Sequence, residues 1–303
     1  MSTAPTPLLA SSNGLQLAYD RFGAPRGQPL LLIMGLGTQM IAWDEAFCGQ
    51  LADRGYHVIR FDNRDIGQST HLSTAAVPDI GKLLTQALGG QPIDPASVPY
   101  TLADMALDTV GLLDALGIQD AHIVGASMGG AIAQEVAMRY PRRVRTLVSI
   151  MSTSGAADLP PPQPEAMQVL MTPTPPDRAG YLARAQKVAK ILRPGSYPEE
   201  EARDLERAGR AFERGLNPAG YVRQLAGILA SGSRRERLGA VRAPTLVIHG
   251  EDDPLVPVEC GRDVARHVPG ARTLTIPRMG HALPRAVWPA IVDAIAEHAV
   301  WTE

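Results

Sequence analysis

The sequence predicts an α/β protein, a mostly parallel, doubly wound sheet with a helical segment inserted after the sixth strand. Three observations carry this. Continuously apolar runs such as Leu30-Leu31-Leu32-Ile33-Met34 read as strands buried on both faces, and they alternate with helical patterns. The stretch Ile123-Val124-Gly125-Ala126-Ser127-Met128-Gly129 passes from such a strand straight into a helix, with a serine at the junction. At Ser152 the composition shifts to proline and then to Arg-, Glu- and Ala-rich helical patterns, and no strand signal returns until Pro244.

Taken in order, Leu15 to Tyr19 alternates apolar and polar after Asn13-Gly14, which predicts an opening antiparallel hairpin. Leu30 to Met34 is a buried strand ending in Gly35-Leu36-Gly37, and Trp43 to Asp53 reads as a helix stopped at Gly55. His57 to Phe61 is the next strand and runs into a polar turn, Asp62 to Ser69. Residues 73 to 100, with Pro78, Pro92, Pro95 and Pro99, read as loop-rich. Thr101-Leu102-Ala103-Asp104 looks like a capping box opening a helix whose apolar face includes Leu102, Met105, Ala106, Leu113 and Leu116. Asp104, Asp108 and Asp114 fall off that face and read as solvated. Ala121 to Val124 and Val144 to Ile150 are strands around a helix from Met128 to Arg139.

Beyond Ser152 the helical readings are Tyr181 to Leu192, Glu199 to Leu216 and Pro218 to Ala230. The expected division is therefore a core of residues 1–152 and 236–303 with a helical cap at 153–235. Thr245 to Ile248 and Arg272 to Ile276 resume the sheet, and Ala286 to His298 closes the chain with a helix.

With 303 residues, one large α/β unit can take the whole length. A net charge of -2 with 20% charged residues gives no basic face for nucleic acid, so a small-molecule partner is expected. Two cysteines, Cys48 and Cys260, make neither a disulfide framework nor a metal cluster. The N-terminal residues lack the layout of a signal peptide, and no uninterrupted apolar stretch of about 20 residues occurs, so the expectation is a cytoplasmic protein with no membrane partner. Gly35-Leu36-Gly37 lacks the third glycine and the acidic residue of a dinucleotide site, and Walker, zinc and EF-hand patterns are absent; neither cofactor nor metal is expected. A monomer or homodimer is expected.

The chemistry centres on Ser127. Glycines at 125 and 129 allow the sharp turn that lifts a serine hydroxyl above the sheet at a helix N-terminus, where free N–H groups can stabilise an oxyanion. A serine is a weak nucleophile without a base and an acid that orients the base, in the chain order Ser, acid, His. Of seven histidines, only His281 follows the last strand in a Gly-His turn. His249, His57, His122, His267 and His298 fall on strands or helices, and His71 lies too far upstream. The acid belongs in His249-Gly250-Glu251-Asp252-Asp253-Pro254. Asp253 is preferred because Pro254 stiffens the backbone after it, with Asp252 and Glu251 as alternatives. The oxyanion donors are the backbone N–H groups of Met128 and of Leu36, just past the early strand.

These motifs, with Ile33-Met34-Gly35, Arg60-Phe61-Asp62-Asn63-Arg64-Asp65-Ile66-Gly67-Gln68-Ser69 and Met279-Gly280-His281-Ala282, give the chain a resemblance to α/β-hydrolases from Leu30 to His298. It resembles in particular bacterial methylesterases of the aclacinomycin type, which remove a methyl group from a carboxylic ester on a polyketide. The resemblance implies Ser127 as nucleophile, Asp253 as acid, His281 as base, and Leu36 with Met128 as oxyanion donors. It implies a serine hydrolase for a carboxylic ester, such as a methyl ester or lactone of a bulky compound. Proline iminopeptidases, C–C bond hydrolases and perhydrolases share the scaffold, and a ligand-binding homologue without turnover is the reading from another class. Met34 stands where many members have His, and Arg64-Asp65 where many have Gly-His; the role of that turn is open. Met167, Met171, Tyr181, Phe212 and Tyr221 could line a pocket for a bulky acyl group, with the charged faces from Glu199 to Arg214 left in water.

Overall fold

The computed structural model describes residues 7–195 and 197–300. β1 (Leu8–Ser12) and β2 (Leu15–Phe22) form an antiparallel hairpin about Asn13-Gly14, both at positive φ (50° and 76°), as a two-residue turn requires. There follow β3 (Gln28–Ile33), α1 (Glu45–Asp53), β4 (Tyr56–Phe61), α2 (Ile80–Leu88), α3 (Leu102–Ala115), β5 (Ala121–Ala126), α4 (Met128–Arg139) and β6 (Val144–Ile150). Next come helices α5 (Pro164–Met171), α6 (Arg178–Leu192), α7 (Pro198–Arg214) and α8 (Pro218–Ser231). The sheet resumes with β7 (Thr245–Gly250), α9 (Val258–His267), β8 (Arg272–Ile276) and α10 (Trp288–Val300).

The eight strands form one sheet in the order β1-β2-β4-β3-β5-β6-β7-β8, antiparallel at β1-β2 and β2-β4 and parallel from β4 onward. Alternate residues of the apolar strands feed two cores. Leu31, Ile33 and Ile123 pack with α3 and α4 on one face, and Leu30, Leu32 and Val124 pack with α1 and α10 on the other. Burial on both faces is why these strands lack a polar alternation. Strand order reverses at β3, which has β4 on one side and β5 on the other. The crevice beyond the C-terminal ends of β3 and β5 is thus the topological switch point, the place where open parallel sheets bind ligands.

Two stretches differ from expectation. Residues 73 to 100 contain α2, capped by the Asp79 carboxylate on Lys82 N–H (3.0 Å), whose Leu83 packs against Ala226 and Ala230 of α8. The proline-rich stretch after Ser152 contains α5, which begins on Pro164 at its first position, where the missing N–H does no harm. Both helices are short, and α2 draws its support from distant chain. Among the described residues no helix is long and apolar enough to cross a membrane.

The chain leaves the sheet after β6 and returns before β7 at one place. Buried Arg234 donates from Nη2 to the Thr153 carbonyl (2.8 Å) on the outgoing chain and from Nε to Gln134 of α4 (3.1 Å), while its own N–H meets the Ser154 carbonyl (2.8 Å). No carboxylate pairs with it among the described residues, and burial lowers its pKa to about 10.

Candidate active site

Ser127 joins β5 to α4 with φ 56° and ψ -121°. Such a backbone costs a non-glycine residue about 1–3 kcal/mol and persists only where the surroundings enforce it. Here they do: the Ser127 N–H donates to the Ile150 carbonyl (2.9 Å), and the Ser127 carbonyl accepts from Gly130 N–H (2.9 Å) and Ser152 Oγ (2.8 Å). A side chain at Gly125 would strike the Gly129 carbonyl, and one at Gly129 the Ile33 carbonyl. Both glycines are therefore required by the close approach of helix to sheet.

His281 lies in the loop after β8, 9% exposed, with its N–H held by the Leu192 carbonyl at the end of α6 (2.7 Å). Its Nε2 is 2.9 Å from Ser127 Oγ and its Nδ1 is 2.7 Å from Asp253 Oδ2. A carboxylate only accepts, so Nδ1 carries the proton and Nε2 is left to accept from the serine hydroxyl. Asp253 follows β7, 5% exposed, and its Oδ1 accepts from the N–H groups of Leu255 (2.9 Å) and Val256 (2.8 Å). Burial pushes this carboxyl up, but the neighbouring His281, the His249 ring at 3.5 Å and the Val256 N–H outweigh it. Asp253 is held well below the usual carboxylate range. The alternatives Glu251 and Asp252 are both exposed, and Asp252 turns away with its N–H on the Met279 carbonyl (3.0 Å).

The backbone candidates are near as well. Met128 is the first residue of α4, so its N–H precedes the intrahelical ladder. Leu36 follows Gly35, whose Cα abuts the serine: a Cβ there would lie 3.1 Å from Ser127 Cβ. Thus Ser127, His281 and Asp253 meet in one hydrogen-bonded line, with Leu36 and Met128 beside the serine. His57, His71, His122, His267 and His298 sit on strands, helices or a loop elsewhere, whereas His249, at the end of β7, borders the Asp253 carboxylate and bonds the Val256 carbonyl (2.7 Å).

Arg64 and Asp65, whose turn had no assigned role, organise a buried polar network that Gln224 links to the loop after β3. Arg64 pairs through Nε and Nη2 with Asp108 (2.5 and 2.6 Å), so Asp108 is not solvated as the helix pattern suggested; it is 2% exposed. Asp65 (φ 69°) takes both prongs of Arg223 of α8 (2.8 and 2.7 Å), the Tyr100 hydroxyl (2.9 Å) and the Leu72 N–H (2.7 Å). Burial alone would raise the Asp65 carboxyl, but these donors, Arg223 first, hold it below the usual range. Asp65→Ala leaves Arg223 buried and uncompensated and should destabilise the protein by about 3–5 kcal/mol, read as a lower urea midpoint. The sign with pH follows from the lowered value. The contribution is complete above about pH 4, the ordinary carboxylate range, and is lost as pH falls through the folded-state value, so the wild type and Asp65→Ala should converge in acid.

Charged residues of α7 also depart from expectation. Glu200 and Asp204 are buried, Glu200 on Arg203 (3.0 Å) and Arg285 N–H (2.9 Å), Asp204 on Arg193 (2.6 Å) and Arg207 (2.6 Å). Arg203, Arg210 (2.5 Å) and Arg214 (2.5 Å) reach Asp44 and Glu45 at the start of α1 and Asp62 just past β4. Of the apolar side chains expected to face a ligand, Tyr181 and Phe212 pack on each other (5.7 Å between rings) and Met171 is 36% exposed. Tyr221 lies against Gly37 and donates to the Leu170 carbonyl (2.7 Å).

Comparison with known proteins agrees with this architecture. The chain is 30% identical to the rhodomycin D methylesterase of Streptomyces peucetius, an alignment covering 97% of this chain and 98% of the relative. It is equally 30% identical to the rhodomycin D methylesterase of Streptomyces sp. strain C5, with the same coverage. Both match the methylesterase resemblance seen in the motifs. The enol-lactonase of Burkholderia xenovorans LB400 superimposes with a TM-score of 0.73 over 97% of this chain and all of its own, at 22% identity, a likeness of fold. The family model for the alpha/beta hydrolase fold matches residues 28–284, and with that span of the chain accounted for, the protein belongs to the α/β-hydrolase family.

Proposed function

We propose that this protein is a cofactor-independent serine hydrolase that cleaves a carboxylic ester, a methyl ester or lactone of a bulky compound, through an acyl-enzyme. The observation that carries the reading is the unbroken line Ser127 Oγ to His281 Nε2 (2.9 Å) and His281 Nδ1 to Asp253 Oδ2 (2.7 Å). In this reading Ser127 Oγ attacks the ester carbonyl while His281 Nε2 takes its proton and Asp253 stabilises the imidazolium. The oxyanion rests on the N–H groups of Leu36 and Met128. The tetrahedral adduct collapses by expelling the alkoxide, which leaves as alcohol with the His281 proton. Water then attacks the acyl-enzyme, His281 takes one of its protons and returns it to Ser127, and the carboxylic acid departs. Every proton and electron pair is accounted for by ester, water and these side chains.

The substrate reading draws on the methylesterase relatives and on the position of residues 153–235, proposed as a cap. Its α6 carbonyl holds the His281 loop and its α8 holds the loop after β3, so it borders the serine on two sides. A large acyl group with a small leaving alcohol is therefore preferred. The test is p-nitrophenyl acetate turnover with organophosphate labelling. Steady nitrophenolate release and one label per chain at Ser127 are expected, whereas a single stoichiometric burst, or label elsewhere, overturns the reading. A polycyclic methyl ester should exceed short p-nitrophenyl esters in kcat/KM; short chains leading throughout would leave the hydrolase and remove the methylesterase.

Because, against burial, His281, His249 and the Val256 N–H hold the Asp253 carboxyl well below the usual carboxylate range, loss of its charge should not limit kcat/KM at mildly acidic pH, and Asp253→Asn should lower activity at every pH across that range.

A further inference from the structure

The loop after β3, Gly35 to Thr38, carries the proposed oxyanion donor and is fixed from both flanks. On one side Asn63 Nδ2 donates to the Met34 carbonyl (2.9 Å). On the other stands Gln224, fully buried on α8 and 187 residues away along the chain. Its Oε1 accepts from the Gly37 N–H (2.9 Å) and its Nε2 donates to the Arg64 carbonyl (2.9 Å). A flipped amide would break both bonds, so the partners define its orientation.

The same face of α8 brings Tyr221 against Gly37, at φ 64°, where any side chain would run into the ring. Asn217 donates to the Asp65 carbonyl (3.0 Å) and Arg223 pairs with its carboxylate. Within the loop, Thr38 Oγ1 donates to the Leu36 carbonyl (3.0 Å) and Thr38 N–H to that of Gly35 (3.3 Å). With Gly37 N–H tied to Gln224, the Leu36–Gly37 peptide is held at both its polar atoms. The Leu36 N–H lies in the preceding Gly35–Leu36 peptide, whose carbonyl is the one Thr38 N–H holds; with the next peptide pinned by Gln224, the Leu36 backbone is fixed on both sides of its Cα, and loosening that pin frees the Leu36 N–H to turn from Ser127.

We propose that Gln224 is a positioning residue that fixes the aim of the Leu36 N–H in the oxyanion site. This rests on the reading of Ser127 as nucleophile. Oxyanion donors act through preorganisation, so slackening the loop weakens transition-state binding more than substrate binding.

Gln224→Met keeps size but cannot accept from Gly37; Gln224→Glu keeps the acceptor and loses the donor to Arg64. With p-nitrophenyl acetate, Gln224→Met should lower kcat about 10–100-fold with KM within about 2-fold, and Gln224→Glu should retain more activity than Gln224→Met. Affinity for an alkyl trifluoromethyl ketone, which forms a tetrahedral adduct on the serine, should fall in proportion to kcat/KM across both variants. A purely structural role predicts lost melting cooperativity without that proportionality. Unchanged kcat and ketone affinity in folded Gln224→Met, or ketone affinity that does not track kcat/KM in Gln224→Glu should Gln224→Met not fold, overturns the proposal. If Ser127→Ala removes activity while the Gln224 variants match wild type, only Gln224 is misassigned; if Ser127→Ala stays active, the underlying reading fails as well.

Discussion

Ser127→Ala should be folded and should hydrolyse p-nitrophenyl acetate with kcat reduced by about 10⁴-fold or more, the scale expected when the nucleophile of a serine hydrolase is removed. The substitution removes a hydroxyl that, among the described residues, bonds to His281, and the backbone bonds that enforce the turn remain, so the melting temperature should barely move. Ser127→Gly sharpens the test. It is equally without a nucleophile, yet it relieves a side chain held at φ 56°, so it should be more stable than Ser127→Ala by about 1 kcal/mol. Thermal melts of the two variants with organophosphate labelling check both statements. A variant that takes the label at the wild-type rate would assign the nucleophile to another serine.

Asp253→Asn is expected to lower kcat by about 10⁴-fold, while Asp252→Asn should stay within a few-fold of wild type. The amide can still occupy the buried site, but it presents a donor or an acceptor to His281 according to its flip. It then no longer enforces Nδ1–H, and it cannot stabilise the imidazolium. Asp252 is exposed and one residue removed from that geometry. Kinetics of both variants at one pH, with circular dichroism to establish folding, separate the assignments. An equal loss in the two would mean that the whole turn after β7, and not one carboxylate, is responsible.

What could be read from the sequence is what short-range chemistry dictates. Asn13-Gly14 specifies its hairpin, paired glycines specify the sharp turn at Ser127, and a Gly-His turn after the last strand places His281. Asp253 was legible because its neighbour Pro254 and its place after β7 are local facts. Asp108 was misread because its partner Arg64 lies 44 positions away and a helical wheel shows only which face a residue occupies, not what meets that face. Glu200 and Asp204 follow the same rule, buried by arginines from other turns and elements. Helix α2 was hidden among prolines because its stabilising contacts come from α8, some 140 residues on. Gln224 gave no signal beyond the unexplained Arg64-Asp65 turn on which α8 rests.

The knot at Arg234 has an evolutionary consequence. Thr153 and Gly232 are both within reach of one guanidinium, so the outgoing and returning chains pass through a single gate, fastened to the helix that follows the serine. A loop that begins and ends at the same point can be lengthened, shortened or exchanged without shifting the pairing of β6 with β7. The exchangeable portion stops short of α8, whose Arg223 and Gln224 are sewn into the turn after β4 and the loop after β3. Chimeras that replace residues 156–216 should therefore keep the sheet and its pairing, provided the new segment again offers the carbonyl that Leu192 gives to the His281 N–H, whereas grafts that include α8 should also arrive with the loop after β3 unfastened.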